Sequence, residues 1–472
     1  MKKLLSIASL LILLTTSCRK IEADNIIIGG NGNDSTQENT ILEGKISTDR
    51  TLKANYVYKI RGFVYVVGGA RLTIEPGTVI EGEKGSSSRG ALIITTGCQL
   101  IADGTKDKPI VFTSDQQTPQ RGDWGGVVIL GLAKTNASYN GVPGVGSVEG
   151  GVNTADGLGL YGGQNDDDNS GILRYVRIEY AGYAYLPDNE LNGLTLAGVG
   201  RSTIVDNVEV YKANDDAIEC FGGSVNLKHI IFISTLDDDF DTDNGWSGQV
   251  QFGIVMRDSL IADVSKSESF ESDNDANGSS LDPQTRGIYS NITVVGPRAT
   301  TTNVGNSLFL AGAQIRRNST ISIFNSVIMG YPTGLLIDAS KGTPTDNNIQ
   351  SGALLFQHNT IAGCAIPLAY SASTTTPTGW DITSMTTWFN TPSFANTILG
   401  TNAELKLTDA YNYTNPDFTP MSNSPLLQGA DFSNSKLSSG SFFTPVTYRG
   451  AVGLDGADAD WWKGWTKLNL NL

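Results

Sequence analysis

The sequence predicts an all-β chain folded as a single-stranded, right-handed parallel β-helix, a solenoid with a C-terminal cap. Three observations carry that expectation. Short Val/Ile/Leu runs alternate with Gly, Asn and Asp clusters along 472 residues that include 54 glycines, and nothing of helical period and length precedes about residue 380. Next, Ile218-Glu219-Cys220-Phe221, Phe240-Asp241-Thr242-Asp243 and Phe270-Glu271-Ser272-Asp273 superimpose as strands of period two, with Glu219, Asp241 and Glu271 spaced by 22 and 30 residues. Leu194-Thr195-Leu196 fits the same frame, Thr195 lying 24 residues before Glu219. Finally, Asn207, His229, Gly253, Asn291, Asn325 and Asn359 each precede an apolar strand, with Tyr175 one coil earlier. Gly and Asn accept a left-handed backbone and His is enriched there, so one sharp bend per coil is expected at this column. Length alone would suggest two or three domains, but a repeat architecture overrides that count.

Taken in order, residues 1–18 read as a lipoprotein signal peptide. Lys2 and Lys3 form its positive region and Leu4 to Leu14 its apolar one; Leu14-Thr15-Thr16-Ser17-Cys18 resembles a bacterial lipoprotein cleavage box, with Cys18 as the lipidated residue. A plain secretory signal is the alternative. Residues 19–45 read as a flexible tether: Arg19 to Asp24 partly resembles the surface-export tag of Bacteroidetes lipoproteins, and Ile28 to Asn39 is rich in Gly and Asn. These segments place the protein on the outer membrane through a lipid anchor, at the cell surface or the periplasmic face.

Residues 46–400 read as the β-helix. Tyr56 to Val67, Leu72 to Gly82, Ala91 to Thr105 and Pro109 to Ser114 follow one another as strand, Gly turn and strand. Gly144 to Asp168 is an inserted Gly/Asn/Asp loop whose length marks it as functional. Trp380 to Thr397 is expected to form a short helix over the last coils. Residues 401–472 read as a terminal coil and a Trp-rich cap, with Trp461, Trp462 and Trp465 covering the open end of the core. A sugar-stacking platform is the other reading of those tryptophans.

A net charge of −15 argues against nucleic acid or an anionic membrane surface as partner, since no basic patch exists to displace counterions. Without Cys18, three cysteines remain, Cys98, Cys220 and Cys364, in apolar or small surroundings; buried free thiols are expected.

LTIEPGTVIEG, LIADGTKDKPIVFTS, RGDWGG, the DDAIECFGG and DNGW coils and the closing VTYRGAVG and WWKGWTKL resemble a family of secreted bacterial, Bacteroidetes-type β-helix proteins of pectate-lyase-like architecture. The resemblance spans about residues 45–472 and implies the fold far more firmly than an activity.

The acidic columns are the sharpest chemical feature. Strands stack about 4.8 Å apart, and two carboxylates at that separation repel by roughly 3.5 kcal/mol at an effective dielectric near 20. Either a cation sits among them or they form a solvated acidic rim. Glu219, Asp239, Asp241, Asp243, Glu271 and Asp273 are the candidate ligands, and Ca2+, which takes about six to eight oxygens, is the candidate ion. The resemblance also implies two enzymatic precedents. In pectate lyases a calcium cluster works with a basic residue, here Arg257 or Arg286; in polygalacturonases paired carboxylates act, here Asp215, Asp216 and Asp241, but the expected Gly-His-Gly is absent. Arg316-Arg317 either pairs with an acidic column or forms a solvated basic turn. Trp124 and Trp246 either stack on sugar rings or close coil corners. The leading function is a surface lipoprotein, a monomer, that binds an extracellular glycan or other solute with calcium and serves an outer-membrane transporter. A polysaccharide lyase or glycoside hydrolase is the alternative, and an adhesin or structural surface protein the third.

Overall fold

The computed structural model describes residues 38–85, 89–186, 189–303 and 305–471. The signal peptide, Cys18 and most of the tether lie outside them. The first coil strand, Ile41–Ile46, pairs in parallel with Val57–Val66, so the coils begin a few residues before the boundary expected at 46. Among the described residues no helix is long and apolar enough to cross a membrane.

One face of the solenoid is a ladder of short parallel strands. Ala91–Ile94, Gly126–Leu130, Leu194–Ala197, Ile218–Phe221, Phe240–Asp243, Phe270–Ser272, Ala311–Arg316, Thr333–Asp338 and Ile366–Ser371 follow one another, each paired with the next. The register is the one the acidic segments imply: Thr195 opposes Glu219, Glu219 opposes Asp241, and Asp241 opposes Glu271. Period two sends Phe240 and Phe270 inward, where their rings stack 5.1 Å apart, 13° from parallel. Thr242 and Ser272 also point inward and hydrogen-bond at 2.9 Å. Cys98, Cys220 and Cys364 are free and buried.

A second face carries longer strands, Gly171–Glu179, Ile204–Tyr211, Asn226–Ile233, Gln249–Met256 and Ile288–Val295, again parallel and in sequence. Each is bent near its middle by one left-handed residue. Tyr175, Asn207, His229, Asn291 and Asn325 take φ between +47° and +59°, as the sequence implied. Two coils differ by one position. Gly253 opposes Ile230 and Ile292, which leaves the bend to Phe252 at φ +62°. In the last coil His358, at φ +58°, bends instead of Asn359. Asn359 serves the neighbouring strand: its amide donates to the Ile323 carbonyl (2.7 Å) and its oxygen accepts from the Ser326 N–H (2.8 Å).

The C-terminal segment is not the end cap the sequence suggested. After residue 430 it runs back along the bend column as a strap. Asn325 donates to the Asp431 carbonyl, Gln251 to Thr444, Asn291 to Tyr448 and Gly450, and Arg177 to Trp465. Trp462 and Trp465 are buried beside Tyr180, Tyr211 and Ile231, on the flank of early coils. The strap's carbonyls supply partners that the sharply bent coils cannot supply themselves, and its indoles cover their outward apolar side chains. At the open end it is the expected short helix, Ile382–Phe389, that packs on the core through Met385 and Phe389.

Candidate metal centre

Outward positions on the short-strand face stack carboxylates in two neighbouring columns. One is Glu219, Asp241 and Glu271, followed on the next strand by Gln314. The other runs from Phe221 to Asp243 and on to Asp273 and Arg316, so the chain places its own cation on the next rung, and Arg316 in turn opposes Asp338. Arg316 binds Glu271 and, at 3.0 Å, Asp273, while Arg317 reaches the other Asp273 oxygen at 2.8 Å. Arg316-Arg317 is therefore a pairing element and not a solvated turn.

Sequence alone singled out Asp216 but not the third column it heads. Two residues before each strand's first aromatic or aliphatic residue stand Asp216, Asp238 and Glu268, at the same offsets of 22 and 30. Backbone bonds tie them together: the Asp238 N–H donates to Asp216 Oδ1 (2.9 Å) and the Glu268 N–H to Asp238 Oδ1 (2.6 Å). The signal was present in the spacing, but Glu268 stands between serines in SESFES and does not stand out there.

Together these columns form three clusters in which ligand oxygens lie within 4.8 Å of one another: Asp215, Asp216 and Asp237; Asp216, Glu219 and Asp241; Asp238, Glu268 and Glu271. They are not a solvated rim, since Glu219 is 7 % exposed, Asp238 4 % and Glu268 1 %. Both Glu268 carboxylate oxygens are buried and without a hydrogen-bond partner among the described residues. A buried carboxylate in that position needs either a proton or a cation.

Burial is the first cause of the electrostatics here, and neighbouring carboxylates add to it. Asp216, Glu219, Asp238 and Asp273 are held well above the usual carboxylate range. Asp237 is pushed up to about 8, and Asp243 and Glu268 to about 7. Asp241 rises only to about 6, because the Arg316 charge opposes its burial. Metal-free, such a set stores protons near neutral pH; with a hard divalent cation it would ionise and coordinate through oxygen.

Several expected site residues fall elsewhere. Asp239 faces inward and is taken by Arg257 (3.0 Å) and the Ser269 hydroxyl (2.7 Å), so it is an internal ion pair and not a metal ligand of this face. Arg257 is fully buried in that pair and donates to the Glu268 and Leu236 carbonyls, which removes it as a base. Arg286 is exposed in a separate recess with Asp166, Arg201 and Gln249. Asp243 and Asp273 border the clusters without belonging to one, whereas Asp215 and Asp216 belong as prospective ligands. Trp124 and Trp246 are fully buried and present no ring face at the surface. Each indole fills the space over a glycine: a Cβ on Gly82 would lie 2.4 Å from Trp124, and one on Gly287 1.9 Å from Trp246. They close coil corners.

A family model described as a pectate-lyase like beta helix domain matches residues 44–409. No curated protein and no solved structure matches the chain.

Proposed function

The chain belongs to the pectate-lyase-like β-helix family, and on that premise we propose that its acidic face is a divalent-cation site, calcium by ligand chemistry, serving the binding of an extracellular glycan or other solute. The observation that carries this is Glu268, buried with two partnerless oxygens within 4.8 Å of Asp238 and Glu271. Calcium accepts an irregular shell of carboxylates, whereas magnesium demands a near-ideal octahedron that stacked strands fit poorly. A cation bound to the folded chain alone stabilises it by about 2.7 kcal/mol at a hundredfold excess over Kd. Calorimetry is expected to show calcium binding, and melting to shift upward with calcium and downward with chelator. Asp241→Asn with Glu268→Gln should remove that response and leave the β-helix folded. No calcium heat, together with melting indifferent to chelator, would sink the proposal.

A polysaccharide lyase is the second reading, favoured by Arg316 beside Glu271 and Asp273. Burial and the neighbouring Arg317 hold its guanidinium below the usual range. In its neutral form it would take the proton next to a uronate carboxylate while the bond to the leaving sugar breaks, a carbon–carbon double bond forms, and the departing oxygen takes a proton from water. Its N–H groups are already engaged by two carboxylates, which ranks this second. A polyuronate assay that develops no ultraviolet-absorbing unsaturated product with calcium would reject it.

We also propose that Cys18 is lipidated and anchors the protein in the outer membrane, on the strength of the short apolar run and the cleavage box before it. Cys18→Ser should release the protein from washed membranes; retention through high salt would refute the anchor.

A further inference from the structure

The bend column holds a feature that the acidic face does not explain. Where the strap crosses it, a recess of about 210 Å³ opens between Tyr175, Asn207, His229 and Phe252 of the coils and Tyr448, Asp458 and Trp461 of the strap. Drug-sized ligands occupy about 300–1,000 Å³, so this recess suits something nearer one ring. The residues at its floor run against the fold's own preference. Asn or His fills the left-handed position in most coils, yet Tyr175 and Phe252 put large rings there, at φ +47° and +62°. Bulky residues in that region are strained, and such strain persists where something outside the backbone selects it.

We propose that this recess is a sugar subsite, taking one pyranose ring of a neutral oligosaccharide. The rings are arranged as walls. His229 and Phe252 lie 5.3 Å apart and 11° from parallel, and Trp461 closes on His229 at 5.1 Å and 50°. Trp461 is held by its indole N–H donating to the Ala451 carbonyl (2.9 Å), so its ring is fixed before a ligand arrives. The polar groups offer both signs of hydrogen bond. Asp206 engages His229 Nδ1 at 2.8 Å, which leaves the Asp458 carboxylate as acceptor and the Asn207 amide, without a hydrogen-bond partner among the described residues although Asn207 is only 6 % exposed, as donor and acceptor. A sugar hydroxyl both donates and accepts, and a pyranose presents C–H groups to a ring face; an ammonium ion would use acceptors alone.

This proposal is independent of calcium, because the recess lies on the bent strands and the carboxylate clusters on the short ones. The probes are cellohexaose, xylohexaose and mannohexaose, titrated into the full chain by calorimetry with indole fluorescence in parallel. At least one is expected to bind, with affinity unchanged by chelator. Trp461→Ala should weaken binding tenfold or more. Phe252→Asn, which installs the residue used at other bends, should weaken it similarly while the melting temperature stays level or rises. That pairing separates a ligand contact from a merely structural one. If none of the three hexaoses binds, or if both variants bind as the parent does, the subsite is overturned.

Discussion

Two groups of buried carboxylates in this protein are treated in opposite ways. Under the strap, Glu179 and Glu209 are nearly inaccessible, and the chain brings two cations to Glu179 and a backbone N–H to Glu209. Arg177 binds Glu179 at 3.0 Å, Lys467 Nζ binds Glu179 at 3.0 Å, and the Lys467 N–H donates to both Glu209 oxygens at 2.9 and 3.0 Å. On the acidic face Arg316 and Arg317 serve Glu271 and Asp273, but Asp216, Glu219, Asp238 and Glu268 have no basic side chain in salt-bridge contact among the described residues. Burial raises carboxyl pKa values in both places, with Glu209 pushed up to about 8. The difference is what sets the proposed cation site apart from the strap. A sequence that can carry a lysine back over more than two hundred residues to neutralise one glutamate does not neutralise the neighbouring face.

The comparison can be broken most forcefully at Arg257. Arg257 and Asp239 are both fully buried, so Arg257→Met leaves an uncompensated charge and should cost about 3–5 kcal/mol, read from denaturant melts. Lys467→Met, whose side chain is a quarter exposed, should cost less, about 1.5–3 kcal/mol for a lost charged hydrogen bond. Equal losses would show that full burial does not make the Arg257–Asp239 pair depend more on its cation than the part-exposed Lys467–Glu179 pair does.

A smaller effect comes from pH. Asp237, Asp241, Asp243 and Glu268 have folded pKa values of about 8, 6, 7 and 7, above the roughly 4 of an unfolded carboxyl. The folded chain then holds more protons than the unfolded one, so their contribution is complete below about pH 4 and is lost as pH rises toward 8. Chelator-treated protein should lose stability over that window, and saturating calcium should flatten the loss by taking the protons' place. Asp237→Asn with Glu268→Gln should flatten the metal-free profile more than Glu209→Gln does. The reverse ranking, seen in melting temperature against pH, would put the greater strain under the strap.

Much of this architecture was legible in the residues. The 22- and 30-residue offsets fixed the register because strand period two permits no slip without turning Phe240 and Phe270 outward. The bend column was legible at Tyr175, Asn207, His229, Asn291 and Asn325. It failed at Gly253, whose pairing with Ile230 and Ile292 leaves the bend to Phe252, and at Asn359, whose side chain bonds Ile323 and Ser326 while His358 bends. Trp124 and Trp246 stayed open between two readings because the glycines that receive them lie in other coils, and a local Asp/Gly-rich turn looks the same with its indole in or out. The strap was invisible for a related reason: nothing near Lys467 in sequence names Glu179 or Glu209.

The returning strap also changes how the chain can assemble. A solenoid whose coils touch only their neighbours can zip from any point and fray from either end. Here the early coils receive Trp465, Lys467 and Asn469 from a segment more than 250 residues later in the chain. Coils stacked on emergence therefore keep an uncovered flank until the whole chain is available, and the closing contacts are among the most distant in sequence. Loop-closure entropy grows only with the logarithm of length, so the thermodynamic penalty of that distance is modest. Its kinetic counterpart is a late docking step that joins early and late coils into one cooperative unit.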